Sequence, residues 1–440
     1  MNINRYIWSE VSDEDRTRVL ERVQANYDAI EATVREIVET VKANGDRALV
    51  DYAAKLDGVT LSVDDLMVTT DEFDAAESQV SAQLRDALEQ AHKNIECHHR
   101  EQVPLASWMK ETTPGVLSGE RVTPIASTGL YVPRGKGSFP SVMLMLCTPA
   151  VIAQVPHIAV CTPPGPDGSI DAASLVAARI CGVETIYKVG GAQAIAALAY
   201  GTQTVRGVRK IVGPGNQYVS AAKRIVYGVV DPGLPAGPSE SIVLADKSAD
   251  PQIVAREWMV EAEHGPDSAA FVVTDSIELA DAVQKLATEL VSELPEQRRR
   301  FVETVFGGYG GVVLTKSVSA SVDFVNEYAP EHLRVITQNP FELLPQIMNA
   351  GEILLGDYTS IPFGNFSIGL NAVLPTGGNA RSYSCVSVHS FLKQSSFAYV
   401  SARGAQEIGP IAIELAHWEG FPAHEGAARY AVERAARQED

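Results

Sequence analysis

The spacing of apolar residues divides the chain into a helical opening and a longer region in which short strands and helices alternate. Over residues 13–102 apolar positions recur every three or four residues, as at Val34, Ile37 and Val41, with charged residues between them. Further along, β-branched runs end at glycine or proline and are separated by alanine-rich stretches such as 172–180. Parallel strands need crossover helices, so this alternation predicts an α/β protein with largely parallel sheets. The predicted strands are 158–161, 185–189, 210–212, 241–245, 271–274 and 311–314.

Composition narrows the class of protein. The chain has 440 residues, 45% of them hydrophobic, which is enough for more than one hydrophobic core. Asp and Glu number 55 against 36 Lys and Arg, and the formal charge of -19 disfavours binding to nucleic acid or to an anionic membrane. The five cysteines stand far apart without a C-x-x-C pair, which favours the reducing cytoplasm. We also expect no signal peptide, because residues 1–15 carry acids and lack an apolar core, and no membrane span, because Pro149 and Pro156 interrupt the longest apolar stretch.

Two glycine-rich turns stand between a predicted strand and a predicted helix. They read Val-Gly-Gly-Ala-Gln at 189–193 and Val-Gly-Pro-Gly-Asn at 212–216. Glycine lets a ligand approach the backbone, and a following helix offers free N–H groups to a phosphate. Neither turn has the full G-x-G-x-x-G spacing, so the pattern leaves both nucleotide contact and a tight turn open.

Two acid–histidine pairs are the best candidates for chemistry. Glu261 and His264 are three residues apart at the predicted end of a helix, so they can share a face and hold one cation. A histidine that merely stabilises the helix C-terminus is the other interpretation. Glu331 and His332 follow Pro330 and can both transfer protons near neutral pH if the backbone turns there, because adjacent side chains otherwise point apart.

Seven short segments, in order and at characteristic spacing between residues 123 and 427, carry a family resemblance. They are Gly-Leu-Tyr-Val-Pro (129–133), residues 189–201, Gly-Pro-Gly-Asn (213–216), Ala-Gly-Pro-Ser-Glu (236–240), Ala-Glu-His-Gly-Pro-Asp-Ser (262–268), Pro-Glu-His (330–332) and Val-Leu-Pro-Thr (373–376). Together they resemble the histidinol dehydrogenase family. The resemblance implies a zinc-dependent homodimer that oxidises an amino alcohol to an aldehyde and then to the acid, reducing two NAD.

The resemblance also implies roles for individual residues. Tyr131, Gln193 and Asn216 match positions that contact NAD in the family. His332 would be the general base on the alcohol, and Glu331 would activate the water that attacks the aldehyde. The implied substrate contacts are Ser141, Ser239, Glu261, His264, His332, Asn365, Glu419 and His424. The implied metal ligands are Glu261, His264, Asn365 and His424, the last reaching the site of the other subunit.

A cysteine nucleophile is the alternative to water in the second oxidation. Enzymes commonly oxidise aldehydes through an adduct with an activated thiol. Cys147 and Cys161 lie in apolar runs that would raise a thiol pKa, and Cys97 and Cys385 lack an evident activating neighbour. Water activated by Glu331 needs no thiol.

The chain departs from the family at the metal and substrate positions. The family's zinc ligands are Gln, His, Asp and His, so Glu261 replaces an amide and Asn365 replaces a carboxylate. Because the exchanges compensate in charge, and two imidazoles with one carboxylate form a known catalytic zinc set, we expect a more weakly bound divalent metal. Where the family reads Thr-Asn-His-Val-Leu-Pro, residues 370–375 read Leu-Asn-Ala-Val-Leu-Pro, so Ala372 replaces a histidine.

Three functions remain open at this point. The first is oxidation of L-histidinol to L-histidine, as part of histidine biosynthesis. The second is oxidation of another small primary alcohol, such as a sulfonated diol, by a paralogue with or without zinc, and the third is ligand binding without catalysis. Removing the imidazole or the amine from the substrate would separate the first two.

The expected architecture has two incomplete Rossmann-like α/β lobes with parallel sheets and small helical segments at both ends. Residues 1–25 form the N-terminal helical segment, and residues 26–130 with 240–380 form the first lobe. Residues 131–239 form the inserted, NAD-binding second lobe. Residues 381–440 form a C-terminal helical tail that crosses to the partner subunit.

Overall fold

A computed structural model describes residues 1–22, 27–134 and 137–437. The strands are β1 (Arg5–Ile7), β2 (Ser107–Thr113), β3 (Val116–Pro124), β4 (Thr128–Tyr131), β5 (Ile158–Cys161), β6 (Ile186–Tyr187), β7 (Lys210–Val212), β8 (Glu240–Ala245), β9 (Ala269–Thr274), β10 (Gly310–Leu314), β11 (His332–Ile336), β12 (Glu352–Leu355) and β13 (Leu392–Val400). The helices are α1 (Asp13–Glu21), α2 (Tyr27–Asn44), α3 (Asp46–Tyr52), α4 (Thr70–Gln79), α5 (Ala82–Arg100), α6 (Pro140–Ile152), α7 (Ala172–Ile180), α8 (Gly191–Tyr200), α9 (Gln217–Ile225), α10 (Pro251–Ala262), α11 (Ile277–Glu293), α12 (Glu296–Gly307), α13 (Val318–Tyr328), α14 (Pro340–Leu343), α15 (Ile361–Phe366), α16 (Ala402–Trp418) and α17 (Pro422–Ala436).

Four parallel strands in the order β6-β5-β4-β7 form the smaller parallel sheet. Helices α8 and α9 follow β6 and β7 along the chain, and α2 packs against both helices. Their shared core is built largely from alanine and valine, which suits close packing of helices on a sheet. All four strands end at the same edge, so the loops after them meet there.

Six parallel strands in the order β1-β10-β9-β8-β11-β12 form the larger sheet. One hydrophobic core contains Trp258 of α10 stacked on Phe306 of α12, and another contains Phe271, Phe324 and Tyr328. Every residue of β8, β9, β10 and β11 is buried, as expected when helices cover both faces of a parallel sheet.

A separate compact unit comprises residues 103–125 and the chain from residue 392 onward. It contains an antiparallel sheet in the order β13-β3-β2 and a hairpin of the helices α16 and α17. All other described residues form the larger unit, which holds both parallel sheets. Within the described ranges, no helix is long and apolar enough to cross a membrane.

The α/β class and the parallel sheets are confirmed, but the expected boundaries need correction. The segment 1–25 is not wholly helical, because β1 adds an edge strand to the larger sheet. In the expected first lobe, α2 packs instead with the helices of the smaller sheet, since its apolar face fills that core. The tail 381–440 contains β13, which pairs with β3 rather than continuing as helix. The boundary at residues 25 and 26 and the chain end at 438–440 lie outside the described residues.

Candidate active site

Five of the predicted site residues meet at the amino ends of strands in the larger sheet. His332 is the first residue of β11, and Glu331 precedes it directly. Helix α13 ends at Tyr328, and the φ of 55° at the capping residue Ala329 is left-handed, so the chain turns sharply before Pro330. The backbone turn on which the Glu331–His332 interpretation depends is therefore present.

His332 is buried between three carboxylates. Its Nδ1 lies 2.7 Å from Oε1 of Glu352, the first residue of the neighbouring strand β12. Its Nε2 lies 3.9 Å from an oxygen of Glu261 and 3.9 Å from an oxygen of Glu331. Burial alone would lower the pKa of His332, but the charges of Glu261 and Glu331 and the bond to Glu352 raise it to about 10. One ring nitrogen is thus fixed, and the other faces the acids that can exchange protons with it.

Glu331 is held from the opposite side by the backbone of Glu240, whose own side chain forms a buried ion pair with Arg22. Oε2 of Glu331 accepts a hydrogen bond of 2.8 Å from the backbone N–H of Glu240. The Glu240 carboxylate lies 3.1 Å from Arg22, whose guanidinium stacks on the Tyr328 ring and donates to the carbonyl of Ala329 at 3.2 Å. Burial raises the pKa of Glu331 to about 8, although the positive charge of His332 opposes the shift. A carboxyl group that titrates near neutral pH can act as a base there.

Glu261, His264 and Asn365 form a group of donor atoms beside His332. Oε2 of Glu261 lies 2.9 Å from Nδ1 of His264, and Oε1 accepts a bond of 3.4 Å from the amide of Asn365. Burial would raise the pKa of Glu261, but the charges of His332 and His264 lower it to about 2. Burial lowers the pKa of His264, but the hydrogen bond to Glu261 acts in the opposite direction, and the pKa is raised to about 9.

The donor atoms of Glu261, His264 and Asn365 suit a divalent metal in type. Oδ1 of Asn365 is buried and has no hydrogen-bond partner among the described residues, so an amide oxygen is available for a cation beside one carboxylate and one imidazole. Across the described ranges, no three His, Cys, Asp or Glu side chains are grouped so as to hold a metal ion. The third donor here is an amide, and the set fits a metal in chemical type.

The predicted cofactor residues lie at the carboxyl edge of the smaller sheet. Tyr131 ends β4, and its hydroxyl oxygen accepts a hydrogen bond of 3.0 Å from the N–H of Gly191, which opens α8. Burial raises the pKa of the Tyr131 hydroxyl, so it stays neutral. Gln193 is 1% exposed, and its Oε1 has no hydrogen-bond partner within the described part of the chain. Asn216 caps α9 by accepting from the N–H groups of two residues of that helix.

The remaining predicted substrate contacts lie on other elements of the chain. Ser141 lies half-buried in the first turn of α6, and Ser239 directly precedes β8, next to Glu240. Glu419 and His424 belong to the smaller unit, where Glu419 caps the end of α16 and His424 is an exposed residue of α17.

Ala372, which stands where the family has a histidine, and the preceding Asn371 both contact Met145 of α6. The N–H of Ala372 points to the sulfur of Met145 at 3.4 Å, and the side chain of the preceding Asn371 donates to the Met145 carbonyl at 2.7 Å. Residue 372 is half-buried.

None of the buried thiols is a better nucleophile candidate than water. Burial raises the pKa of Cys161, and burial followed by the charge of Glu352 raises that of Cys385. Hydrogen bonds from Cys147 and His92 lower the pKa of Cys181 to about 6 in spite of burial, but this thiol caps the end of α7 in the smaller-sheet region and contacts Thr148. The prediction that Cys147 lies in an apolar setting unfavourable to a thiolate agrees with its raised pKa, caused by the bond to Cys181 and by burial.

Comparison with known proteins identifies the family. A family model described as histidinol dehydrogenase matches residues 20–432. A histidinol dehydrogenase from Synechocystis sp. is 48% identical over 421 residues, which cover 96% of this chain and 97% of that protein. The chain belongs to the histidinol dehydrogenase family. A histidinol dehydrogenase homolog from Cereibacter sphaeroides is 48% identical over 97% of both chains. The crystal structure of histidinol dehydrogenase from Elizabethkingia anophelis matches with a TM-score of 0.93 at 35% identity, covering 98% of each chain.

For this member of the histidinol dehydrogenase family, sequence reasoning missed three residues that hold the cluster together. They are Glu352, Glu240 and Arg22. Glu352 contacts the ring of His332, the backbone N–H of Glu240 donates to the Glu331 carboxylate, and Arg22 pairs with the Glu240 carboxylate. Glu240 and Glu352 are buried first residues of strands, and a carboxylate at such a place is costly unless it is paired. An acid at the first position of an apolar strand is the sequence signal that could have found them.

Proposed function

We propose that the chain oxidises L-histidinol to L-histidine through the aldehyde, with NAD as the oxidant, and so serves histidine biosynthesis. The observation that carries the proposal is the His332 imidazole, fixed by Glu352 on one side and 3.9 Å from Glu331 on the other. The overall reaction consumes one alcohol, one water and two NAD and yields the carboxylate, two NADH and three protons. When bound, NAD accepts a hydride in each of the two oxidations.

In the first oxidation, Nε2 of His332 takes the proton of the alcohol hydroxyl. Glu352 accepts the hydrogen of Nδ1, which fixes the ring orientation and leaves the lone pair on Nε2 facing the substrate. The neutral ring is required for this role, whereas the surrounding carboxylates favour the charged ring. A divalent metal held by Glu261, His264 and Asn365, with His424 of a second copy, would cancel part of that negative charge and favour the neutral ring.

In the second oxidation, Glu331 takes a proton from the water that attacks the aldehyde carbon. Its pKa of about 8 makes it a stronger base than an ordinary carboxylate once it is ionised. Glu240 donates its backbone N–H to one oxygen of Glu331, which leaves the oxygen nearer His332 free to act. His332 and Glu331 are then able to pass the released proton between them.

The cofactor would bind at the carboxyl edge of the smaller sheet. Tyr131 holds the turn before α8, and the unpartnered Oε1 of Gln193 can accept a hydrogen bond from a ligand amide or hydroxyl. Asn216 fixes the start of α9, so the two glycine-rich turns form one concave edge. This is where open parallel sheets generally bind nucleotides.

A second copy of the chain would complete the site. On α16 of the smaller unit, Trp418, Ile411 and Leu415 are 86%, 60% and 56% exposed and follow helical spacing along one face. A face of this kind is stable in water when another chain covers it, and Glu419 and His424 lie close to it along the chain. All five cysteines are free thiols, which supports a cytoplasmic location.

Complementation tests the shared site. Co-expressed chains carrying His424→Ala and His332→Ala should form mixed dimers with one intact site, although each variant alone is inactive. Mixed dimers without recovered activity would contradict the shared site.

The function itself is tested by NADH formation at 340 nm with L-histidinol, before and after addition of zinc. We expect two NADH per alcohol. Parallel assays with amine-free and sulfonated primary alcohols serve as controls. Turnover of one of these alcohols without turnover of histidinol would overturn the proposed substrate and would indicate that Asn365 and Ala372 mark a different specificity.

A further inference from the structure

A cavity of about 550 Å³ opens beside the carboxyl edge of the smaller sheet. Asp57 and Arg134 provide its charged groups, and Ser138 and the prolines that follow β5 complete the wall. Every lining residue belongs to the smaller-sheet part of the molecule or to the segment before it, and none comes from strands of the larger sheet. The cavity is therefore separate from the cluster around His332.

Asp57 is joined to the predicted cofactor site by a direct contact. Its Oδ2 accepts a long hydrogen bond of 3.5 Å from Nε2 of Gln193, whose own Oε1 is the buried atom without a partner in the described chain. A helical turn over Ala53–Asp57 ends at Asp57, because the next residue, Gly58, has a left-handed φ of 69°. The Asp57 side chain is half-buried and lines the cavity. Burial raises the pKa of Asp57, which means that its charge lacks full compensation from the protein.

We propose that Asp57 accepts hydrogen bonds from the two hydroxyls of the adenosine ribose of NAD and thereby excludes NADP. An ionised carboxylate only accepts hydrogen bonds, and a vicinal diol presents two donors at matching separation. A 2′-phosphate would instead place negative charge against Asp57 in a half-buried setting, which is strongly unfavourable.

The adenosine half fits this cavity better than the nicotinamide half. The nicotinamide ring must reach the atoms that react, and those lie with His332 and Glu331 at the amino edge of the larger sheet. The cavity at Asp57 contains no residue of that cluster. The remote half of the dinucleotide is therefore the half that would occupy it.

Arg134 offers the competing interpretation. Its guanidinium packs on Gly165, where a Cβ atom would lie 2.3 Å from Nη1. If Arg134 rather than Asp57 governed the cavity, it would attract a 2′-phosphate and the chain would bind NADP more tightly than NAD. The two interpretations predict opposite preferences.

The experiment measures binding of NAD and NADP by calorimetry, without substrate, to the unsubstituted chain and to Asp57→Asn and Asp57→Ser. The inference rests on the proposed function, because it presumes a nicotinamide cofactor. Asp51→Asn is the matched control, since Asp51 lies six residues earlier in a surface ion pair with Arg47. Thermal unfolding of each variant shows whether it is folded.

We expect the unsubstituted chain and Asp51→Asn to prefer NAD. Asp57→Asn and Asp57→Ser should each lose roughly tenfold in NAD affinity, and their preference for NAD over NADP should fall by at least as much. An unsubstituted chain that binds no NAD would overturn the proposed function. Folded Asp57 variants that keep both the NAD affinity and the preference, or an unsubstituted chain that prefers NADP, would overturn the role of Asp57 alone.

Discussion

The two edges that carry the candidate site are built on opposite principles. At the carboxyl edge of the smaller sheet, glycine turns and helix starts present backbone groups, and the side chains of Tyr131 and Asn216 serve mainly to fix those turns. At the amino edge of the larger sheet, buried side-chain charges lie within 4 Å of one another around His332. The first edge is suited to holding a ligand and the second to moving protons.

This contrast predicts that substitutions at the two edges impair different properties of the enzyme. Damage at the carboxyl edge should weaken cofactor binding and leave the rate at saturation unchanged. Damage at the amino edge should reduce the rate and leave cofactor affinity unchanged, because the charges there act on the reacting atoms. Each substitution below tests one side of this difference.

The largest effect is expected for His332→Gln. Glutamine keeps a polar side chain of similar length but cannot accept the alcohol proton, so kcat should fall by about 10²- to 10⁴-fold. NAD affinity, measured by calorimetry, should change less than about twofold. A variant that retained more than a tenth of the rate would remove His332 from the role of base.

A smaller loss of rate is expected for Glu352→Ala. The carboxylate does not reach the substrate side of the ring but fixes Nδ1 of His332 at 2.7 Å, so it is a positioning residue. We expect kcat to fall roughly 10- to 100-fold with KM unchanged, as for other residues that orient a functional histidine. Glu352→Gln keeps an acceptor oxygen and should recover part of the rate. Equal losses in the two variants, in step with their melting temperatures, would indicate a purely structural role.

The sequence predicted the carboxyl edge better than the amino edge for a physical reason. Strand periodicity located β5 and β7 of the smaller sheet at their observed bounds, and glycine before a helix marked the turns at 190–191 and 213–216. These are local patterns within a few residues. Cofactor residues at that edge also follow the general rule for parallel sheets.

The amino edge depends on pairings over long sequence separations, which no local pattern reveals. Glu352 meets His332 because β12 lies beside β11, and Arg22 meets Glu240 across more than two hundred residues. The same limit explains the errors in the boundaries. The apolar face of α2 predicts a helix, but not which of two sheets it covers. The prediction of a wholly helical tail is wrong at β13, because this strand is exposed along nearly its whole length and has no buried face to give a period of two.

At the carboxyl edge, Tyr131→Phe should weaken cofactor binding without slowing the reaction. The substitution removes the acceptor for the Gly191 N–H, and an unpartnered backbone donor costs about 1–3 kcal/mol. We expect NAD affinity to fall roughly tenfold while kcat at saturating NAD is retained. A fall in kcat with unchanged affinity would mean that the two edges are not functionally separate.

The smallest effect is expected on stability, at Lys223, which holds the glycine turn at residues 213–216. Buried Lys223 donates to the carbonyl of Gly213 at 2.6 Å, and burial lowers its pKa to about 8, against about 10.4 in the unfolded chain. Between these values the unfolded state binds more protons, so the contribution of Lys223 to stability rises with pH.

This linkage is measured by urea unfolding of the unsubstituted chain and of Lys223→Met at pH 7 and pH 9. From pH 7 to pH 9 the free energy of unfolding of the unsubstituted chain should gain about 1 kcal/mol relative to the variant. The comparison of the two chains cancels the titration of all other groups. Equal pH dependence would show that the lysine is solvated, and that the turn at Gly213 is held by its backbone alone.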